Sequence, residues 1–181
     1  MNSSYCALLR GINVGKAKRI AMADLRALVA ALGYTDGQTL LNSGNVVFKA
    51  PADTVPTEAA ARIQAGIAAH IGVVARVTVL TAAELAAIIN ENPFGPDVAP
   101  DPSRLLVSVA NTPADLAKLG PLAQQAWGAD RLAIGRRAAY IWCSEGILAS
   151  KLAEAAGKLL RDAATARNWA TMLKLGALAG D

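Results

Sequence analysis

The feature that most constrains the fold is the order in which two hydrophobic periodicities alternate between residues 5 and 80. Short apolar runs without a helical period alternate with longer segments whose apolar residues recur at helical spacing. The runs predict strands at 5–9, 39–41, 46–48 and 73–80, and the longer segments predict helices at 22–32 and 56–71. Asn42-Ser-Gly-Asn45 tolerates positive φ and predicts a hairpin between the second and third strands. The order β-α-β-β-α-β is that of a ferredoxin-like split βαβ unit.

The second half of the chain repeats this order without a clear last strand. Three further runs predict strands, at 104–110, 131–134 and 138–142. A helix begins at Thr112-Pro113, and a later helix has four residues predicted to face inward: Leu148, Leu152, Ala155 and Leu159. A final helix is predicted from about Asn168 to Leu178, with three apolar residues on one face: Trp169, Met172 and Leu173. We therefore expect an α+β protein of two ferredoxin-like (split βαβ) halves with antiparallel sheets covered by helices.

The most obvious linker is the proline-rich stretch at residues 93–103, which contains Pro93, Pro96, Pro100 and Pro102. It follows an extra helix predicted at 81–91, which opens on a Thr81-Ala-Ala-Glu84 capping box. The predicted organisation is a first ferredoxin-like half at 1–92, the linker at 93–103, and a second half with a C-terminal helix at 104–181.

The charge of the chain is concentrated in its first segment. The formal net charge is only +4, but residues 1–50 contain six basic and two acidic side chains. Such a segment can attract phosphate or nucleic acid. The alternative is a solvated face that keeps the protein soluble.

Cysteine and histidine counts exclude several kinds of site. Cys6 and Cys143 both lie in strand-like apolar runs, so we expect reduced, buried thiols and a cytoplasmic location. His70 is the only histidine, so a Cys/His metal site is not expected, and His70 is better explained as a helix C-terminal cap. Arg10 interrupts the short apolar start, so no signal peptide is predicted. No apolar run approaches about 18 residues, so neither a membrane span nor a membrane partner is expected.

The stretch Gly11-Ile-Asn-Val-Gly15-Lys16 is a candidate ligand loop. Its glycine spacing matches neither a Walker A motif nor Gly-x-Gly-x-x-Gly, and Ala17 lacks the magnesium-binding hydroxyl. Glycines nevertheless let backbone amides approach a ligand, and Arg10, Lys16, Lys18 and Arg19 can hold an anion. The alternative is a tight strand-to-helix connection with solvated basic residues.

Two other stretches combine a small or amide residue with an available donor. Ser43-Gly44-Asn45 is either simple turn chemistry or part of a site. Arg167-Asn168-Trp169-Ala-Thr171 is either a capped, docked helix start or an anion position. We expect the two stretches and the Arg10–Arg19 loop to converge on one shallow electropositive pocket.

Together these motifs resemble the DUF1697 family of small, mostly bacterial proteins of unknown function. The resemblance rests on Arg10-Gly-Ile-Asn-Val-Gly15, Ser43-Gly-Asn-Val-Val-Phe48 and Arg167-Asn-Trp-x-Thr171, with Met22 and Leu25 on the first helix. It implies a duplicated ferredoxin-like arrangement but no accepted reaction, cofactor or substrate. Ten residues occupy the family pattern: Arg10, Gly11, Asn13, Gly15, Ser43, Gly44, Asn45, Arg167, Asn168 and Thr171. The chain departs from the pattern at Lys16, usually glycine, and at Asn42, usually glutamine.

Three functions follow from these observations. The first is a binding module for a phosphate-bearing or other anionic ligand, either a nucleotide or a nucleic acid backbone, presented on the basic segment and an open sheet face. Sequence-specific RNA recognition is disfavoured because the central strands lack paired aromatic residues. The second is a small enzyme acting on an anionic metabolite, with Arg10, Asn13 and Asn45 polarising the substrate. The third is a structural or interaction protein. No cofactor and no acid–base pair is predicted, and the oligomeric state is left open.

Overall fold

The computed structural model describes residues 1–15 and 18–180 of the chain. These form two compact units, one of Met1–Ala86 with Leu175–Asp181 and the other of Ala87–Lys174. The division falls within two helices and not in the proline-rich stretch at 93–103, which lies inside the second unit.

The first unit contains the complete β-α-β-β-α-β order. Its elements are β1 (Asn2–Arg10), α1 (Met22–Ala31), β2 (Thr35–Leu40), β3 (Asn45–Pro51), α2 (Pro56–Gly66) and β4 (Arg76–Thr81). A π-helical turn, Ile67–Ile71, extends α2, and the turn ends at Gly72 with φ 75°. The sheet is antiparallel with strand order β2-β3-β1-β4, the order expected for a ferredoxin-like unit.

Successive side chains of each strand point to opposite faces of the sheet, and the side chains on one face pack against the helices of the first unit. Tyr5 and Leu9 point into the main core, where Tyr5 and Tyr34 both stack on Phe48 with ring centroids 5.9 and 4.6 Å away. Tyr5 also donates its hydroxyl to the Pro51 carbonyl oxygen at 3.1 Å, so this large side chain leaves no buried polar atom unsatisfied.

The opposite face of this sheet is also buried, which corrects the expectation of an open sheet face. Cys6, Leu8 and Leu80 lie on it and are fully buried. The end of the last helix contributes Leu178 to a cavity of about 380 Å³ on this side, beside Val47.

The second unit has the same topology as the first. Helix α3 (Ala82–Asn90) connects the units in sequence, and the remaining elements are β5 (Leu105–Ala110), α4 (Gly120–Ala123), β6 (Arg131–Ile134), β7 (Ala138–Trp142), α5 (Lys151–Leu160), β8 (Ala164–Asn168) and α6 (Trp169–Gly180). The antiparallel sheet has the order β6-β7-β5-β8. Each sheet thus places its first strand centrally and its last strand at an edge.

Strand β8 completes the second unit and was missing from the sequence prediction. Its residues, Ala164-Thr-Ala-Arg-Asn168, include no valine, isoleucine or aromatic residue, so they carry little strand propensity. The strand exists because it pairs with β5 from Leu106↔Asn168 to Ala110↔Ala164. Pairing between distant segments has overridden the local preference.

Two predicted helix faces are corrected by the structure. Helix α5 begins only at Lys151, after Leu148, and its buried residues are Leu152, Ala156 and Leu160, so Leu148 and Leu159 are exposed. In α6 the buried residues include Met172 and Leu175, while Leu173 is exposed. In addition, the segment Pro113–Leu119 forms a 3-10 helix, followed at once by α4.

Several local predictions are confirmed. Cys6 and Cys143 are free and buried, and the Thr81–Glu84 capping box forms, with backbone-to-side-chain distances of 2.9 and 3.0 Å. His70 lies in the last turn before Gly72. Among the described residues, no helix has both the length and the apolar character needed to cross a membrane.

Candidate functional site

Three connections meet at one end of the first sheet. The strand register pairs Arg10 at the end of β1 with Arg76 at the start of β4. It also pairs Asn45, the first residue of β3, with Leu8 and Leu40. We call this region the basic end, defined by three segments: the connection after β1 (residues 10–15 and 18–21), residues 41–44 and residues 72–76.

Asn13 ties the loop of the basic end to the neighbouring turn. Its side-chain Nδ2 donates to the carbonyl oxygens of Ile20 at 3.0 Å and Asn42 at 2.6 Å, and its Oδ1 accepts from the Ile20 amide at 2.9 Å. The Asn13 amide donates to the Lys18 carbonyl oxygen at 3.0 Å. The side chain therefore holds both ends of its own loop and fixes the loop on the turn. Two of the three predicted stretches lie together.

Hydrogen bonds and close packing at Gly44 and Asn45 hold the turn in place. Leu9 donates its amide to the Gly44 carbonyl oxygen at 2.8 Å, and Gly44 has φ 84°. A Cβ at position 44 would lie 2.6 Å from Ile12 Cδ1 and 2.7 Å from Leu9 Cβ, so only glycine fits. Asn45 is fully buried and donates Nδ2 to the Leu40 carbonyl oxygen at 2.7 Å and to Ser43 Oγ at 2.9 Å. These residues form a rigid frame.

The backbone of the loop adopts positive φ at every second residue. Gly11, Asn13 and Gly15 have φ of 74°, 54° and 65°, while Ile12 and Val14 between them stay outside the positive region. Because glycine has no side chain, Gly11 and Gly15 allow close approach to the backbone. Gly11 and Gly15 are exposed, so this backbone is open to a ligand.

The basic end is strongly cationic. Arg10, Lys18, Arg19 and Arg76 belong to it, and the three segments contain no aspartate or glutamate. Lys16, also predicted for the site, lies outside the described residues. Arg76, Lys18 and Arg19 are exposed and Arg10 is half-buried. Arg19 donates to the Gly15 carbonyl oxygen at 3.2 Å, which places its guanidinium beside the glycine loop.

The third predicted stretch lies in the second unit, where β8 meets α6. Arg167 is part of β8 and donates Nη1 to the Ala166 carbonyl oxygen at 2.8 Å. Asn168 caps α6, because its Oδ1 accepts from the Thr171 amide at 2.9 Å, and Thr171 is buried. The predicted cap is confirmed. Convergence of this stretch with the other two stays a prediction.

Sequence reasoning missed a second polar cluster, centred on Asp130. Its Oδ1 accepts from the Ser144 amide and hydroxyl, both at 2.8 Å, and its Oδ2 accepts from the Ser150 hydroxyl at 2.6 Å. Ser150 in turn caps α5 by accepting from the Ala153 amide at 3.0 Å. Burial raises the pKa of Asp130, but the hydrogen bonds from Ser150 and Ser144 outweigh it and leave the pKa below its usual value.

The Asp130 cluster borders a cavity of about 450 Å³ that is also lined by Trp127 and Lys151. Ser150 ahead of an apolar helix was the one sequence signal available for this cluster. The described residues contain no group of three or more His, Cys, Asp or Glu side chains placed to hold a metal ion. The cluster fastens α5 to the ends of β6 and β7.

Comparisons with known proteins bear on the family and the fold. The chain matches, over residues 1–140, the family described as "Protein of unknown function (DUF1697)". Its structure is similar to that of the conserved bacterial protein SP0830 from Streptococcus pneumoniae, with a TM-score of 0.76, 19% sequence identity and 99% of each chain covered. No curated protein matches the chain. The matched span includes the whole basic end, and the chain belongs to the DUF1697 family.

Proposed function

We propose that the first unit is a binding module for a phosphate-bearing ligand, held at the basic end. The observation that carries the proposal is the exposed pair of cations Lys18 and Arg19 beside the glycine loop, with the Arg19 guanidinium donating to the Gly15 carbonyl oxygen at 3.2 Å. Exposed cations beside an accessible backbone suit the oxygens of a phosphate group. A cytoplasmic location, favoured by the buried reduced thiols, belongs to the same proposal.

Each part of the basic end has a role in this binding. The exposed Lys18 ammonium and Arg19 guanidinium offer charged donors for phosphate oxygens. The exposed glycines Gly11 and Gly15 let a ligand approach the backbone at a fixed position. Asn13 and Gly44 keep that backbone in place before a ligand arrives, so little conformational freedom is lost on binding.

The geometry favours a binding module over an enzyme. Asn13 uses both the donor and the acceptor side of its amide within the protein, and both N–H groups of Asn45 are engaged. These side chains act as supports, so polarisation of a substrate would fall to the cations alone. The basic end also has no carboxylate to act as a general base.

Thermal unfolding in the presence of phosphate tests the proposal. At constant ionic strength, inorganic phosphate and a nucleoside triphosphate are expected to raise the Tm of the full chain relative to chloride, because a ligand of the folded state stabilises it. Each charge-assisted contact is expected to contribute about 1–3 kcal/mol before competition from salt. The gain should fall in Lys18→Gln and in Arg19→Gln.

The matched control is Arg136→Gln in the second unit, where the Arg136 side chain is 96% exposed. This variant should retain the full gain. An equal loss in all three variants would show that phosphate acts through net charge, and an unchanged gain in the Lys18 and Arg19 variants would move the site elsewhere. No gain in the wild-type chain would favour a structural or interaction protein.

A further inference from the structure

The cavity of about 380 Å³ in the first unit lies away from the basic end. Ser4 of β1 pairs with Lys49 of β3 at the cavity, whereas the basic end begins beyond the pair Leu8–Asn45. The volume is within the range of about 300–1,000 Å³ that is typical of small-molecule sites. We call it the bulge cavity, and six of the residues that line it are used below: Ser4, Asp36, Gln38, Val47, Lys49 and Leu178.

A β-bulge in β2 forms one wall of the bulge cavity. The register between β2 and β3 shifts between Thr35 and Gln38, so Asp36 and Gly37 together stand opposite one residue of β3. Asp36 has φ 53°, in the left-handed region. Glycine usually fills a left-handed bulge position, and here the glycine stands one position later. The sequence therefore keeps a carboxylate at a position where glycine would be easier to accommodate.

The bulge cavity carries one charge of each sign. Asp36 is exposed and Lys49 is half-buried, and both residues line the cavity. Within residues 1–15 and 18–180, neither side chain forms an ion pair or a hydrogen bond. An acid and a base that line one cavity, each without a partner in the described chain, can both be satisfied by a ligand that carries the two opposite charges.

The remaining walls combine polar and apolar groups. Gln38 is exposed and its amide can both donate and accept, and the half-buried Ser4 contributes a hydroxyl. Val47 is buried and Leu178 is half-buried, so they give the cavity an apolar side. A few polar groups beside an apolar wall are typical of a small-molecule site.

We propose that the bulge cavity binds a free α-amino acid with an aliphatic side chain. The Asp36 carboxylate accepts hydrogen bonds from the ammonium group of the ligand, and the Lys49 ammonium donates to its carboxylate. The aliphatic side chain packs against Val47 and Leu178, where it leaves water. Gln38 and Ser4 supply further hydrogen bonds to the two charged groups.

A ligand with a single charge fits this cavity less well. Asp36 would repel a phosphate group, and Lys49 would repel a simple amine. A zwitterion meets an opposite charge on each of the two residues. The bulge cavity shares no residue with the basic end, so the inference goes beyond the proposed function and does not depend on it.

A ¹H–¹⁵N NMR titration of the full chain with L-leucine, at constant pH and ionic strength, tests this inference. Saturable shifts are expected at the backbone amides of Asp36, Gly37 and Gln38. Isocaproate has the same carbon skeleton without the ammonium group, and isoamylamine lacks the carboxylate. Each should bind at least about tenfold more weakly than leucine, because it leaves one charged residue of the site without its partner.

Two variants remove the charges of the site separately. In Asp36→Asn the new residue also tolerates the left-handed region, and in Lys49→Met it keeps an unbranched apolar stem. Each variant should retain the spectrum of a folded chain and bind leucine about tenfold or more weakly. Asp53→Asn is the matched control, since Asp53 is an exposed carboxylate of the same unit that does not line the cavity, and it should bind leucine normally.

The competing explanation is an ion pair between Asp36 and Lys49 within the protein. It predicts no saturable shift with leucine, and a double variant whose loss of stability is smaller than the sum of the two single losses. That result overturns the inference. Equal binding of leucine and either analogue, or unchanged leucine binding in both variants, also overturns it. A failure of phosphate to act through Lys18 and Arg19 would end the proposed function but leave the bulge cavity as an amino-acid site.

Discussion

Gly44→Ala is expected to destabilise the first unit by about 3–5 kcal/mol, combining the left-handed backbone cost of alanine with overpacking. The added methyl group would meet Ile12 Cδ1 at 2.6 Å and Leu9 Cβ at 2.7 Å. The second contact involves an atom bonded to the backbone of β1, so it cannot be relieved by a rotamer change. The strand, the loop or the turn must move.

Gly33→Ala provides the matched control for this effect. Gly33 has φ 88°, close to that of Gly44, but no atom lies within 4 Å of a Cβ at that position. Its replacement should cost only the backbone part, about 1–2 kcal/mol. Urea unfolding of the two variants measures the difference in the free energy of unfolding. Equal losses in the free energy of unfolding would show that the turn accommodates the added methyl group and that the backbone around the basic end can shift.

Asp130→Ala is expected to destabilise the second unit by about 2–4 kcal/mol, since hydrogen bonds to charged groups are worth about 1.5–3 kcal/mol. The carboxylate accepts three hydrogen bonds, and one of them comes from the Ser150 hydroxyl, whose residue is only 6% exposed. Its removal leaves polar groups of Ser144 and Ser150 without their acceptor. Glu145→Gln, at an exposed carboxylate beside the same cavity, should change stability by less than about 0.5 kcal/mol.

The same carboxylate makes stability depend on pH. Because the pKa of Asp130 is lowered in the folded state, its contribution is fully present above the unfolded value of about 3.9. The contribution is lost as pH falls through the lower folded pKa. Asp130→Ala should therefore reduce the stability difference between neutral pH and about pH 3. If the wild type and Asp130→Ala lose stability in parallel as the pH falls, Asp130 does not have this role.

The strands of the first unit were predictable because their residues carry the signal themselves. Val46-Val-Phe48 combines high strand propensity with the Asn42–Asn45 turn, so local preference and pairing agree. Strand β8 was not predictable, because its alanines gain a strand conformation only by pairing with β5. The inward face of α5 was misplaced because its helix begins three residues after Leu148.

The candidate site, like the fold, could be predicted from the sequence only in part. The motif residues Arg10, Gly11 and Asn13 could be identified from their types, but their arrangement depends on contacts over long sequence distances. The pairing of Arg10 with Arg76 depends on strand register, which a one-residue slip would change for every side chain. Asp130 gave no local signal, since its partners lie 14 and 20 residues further along the chain.

The most direct measurement of the central claim is a ¹H–¹⁵N NMR titration of the full chain with inorganic phosphate at constant ionic strength. Phosphate held at the basic end should shift the backbone amides of Gly11 and Gly15 in a saturable way, because these glycines are exposed in the loop beside Arg19. The amide of Ala153, at another helix N-terminus in the second unit, should not move. Saturable shifts at the glycine loop that weaken in Arg19→Gln are the predicted result. Shifts confined to other helix starts, or no saturable shift in the loop, would contradict the account.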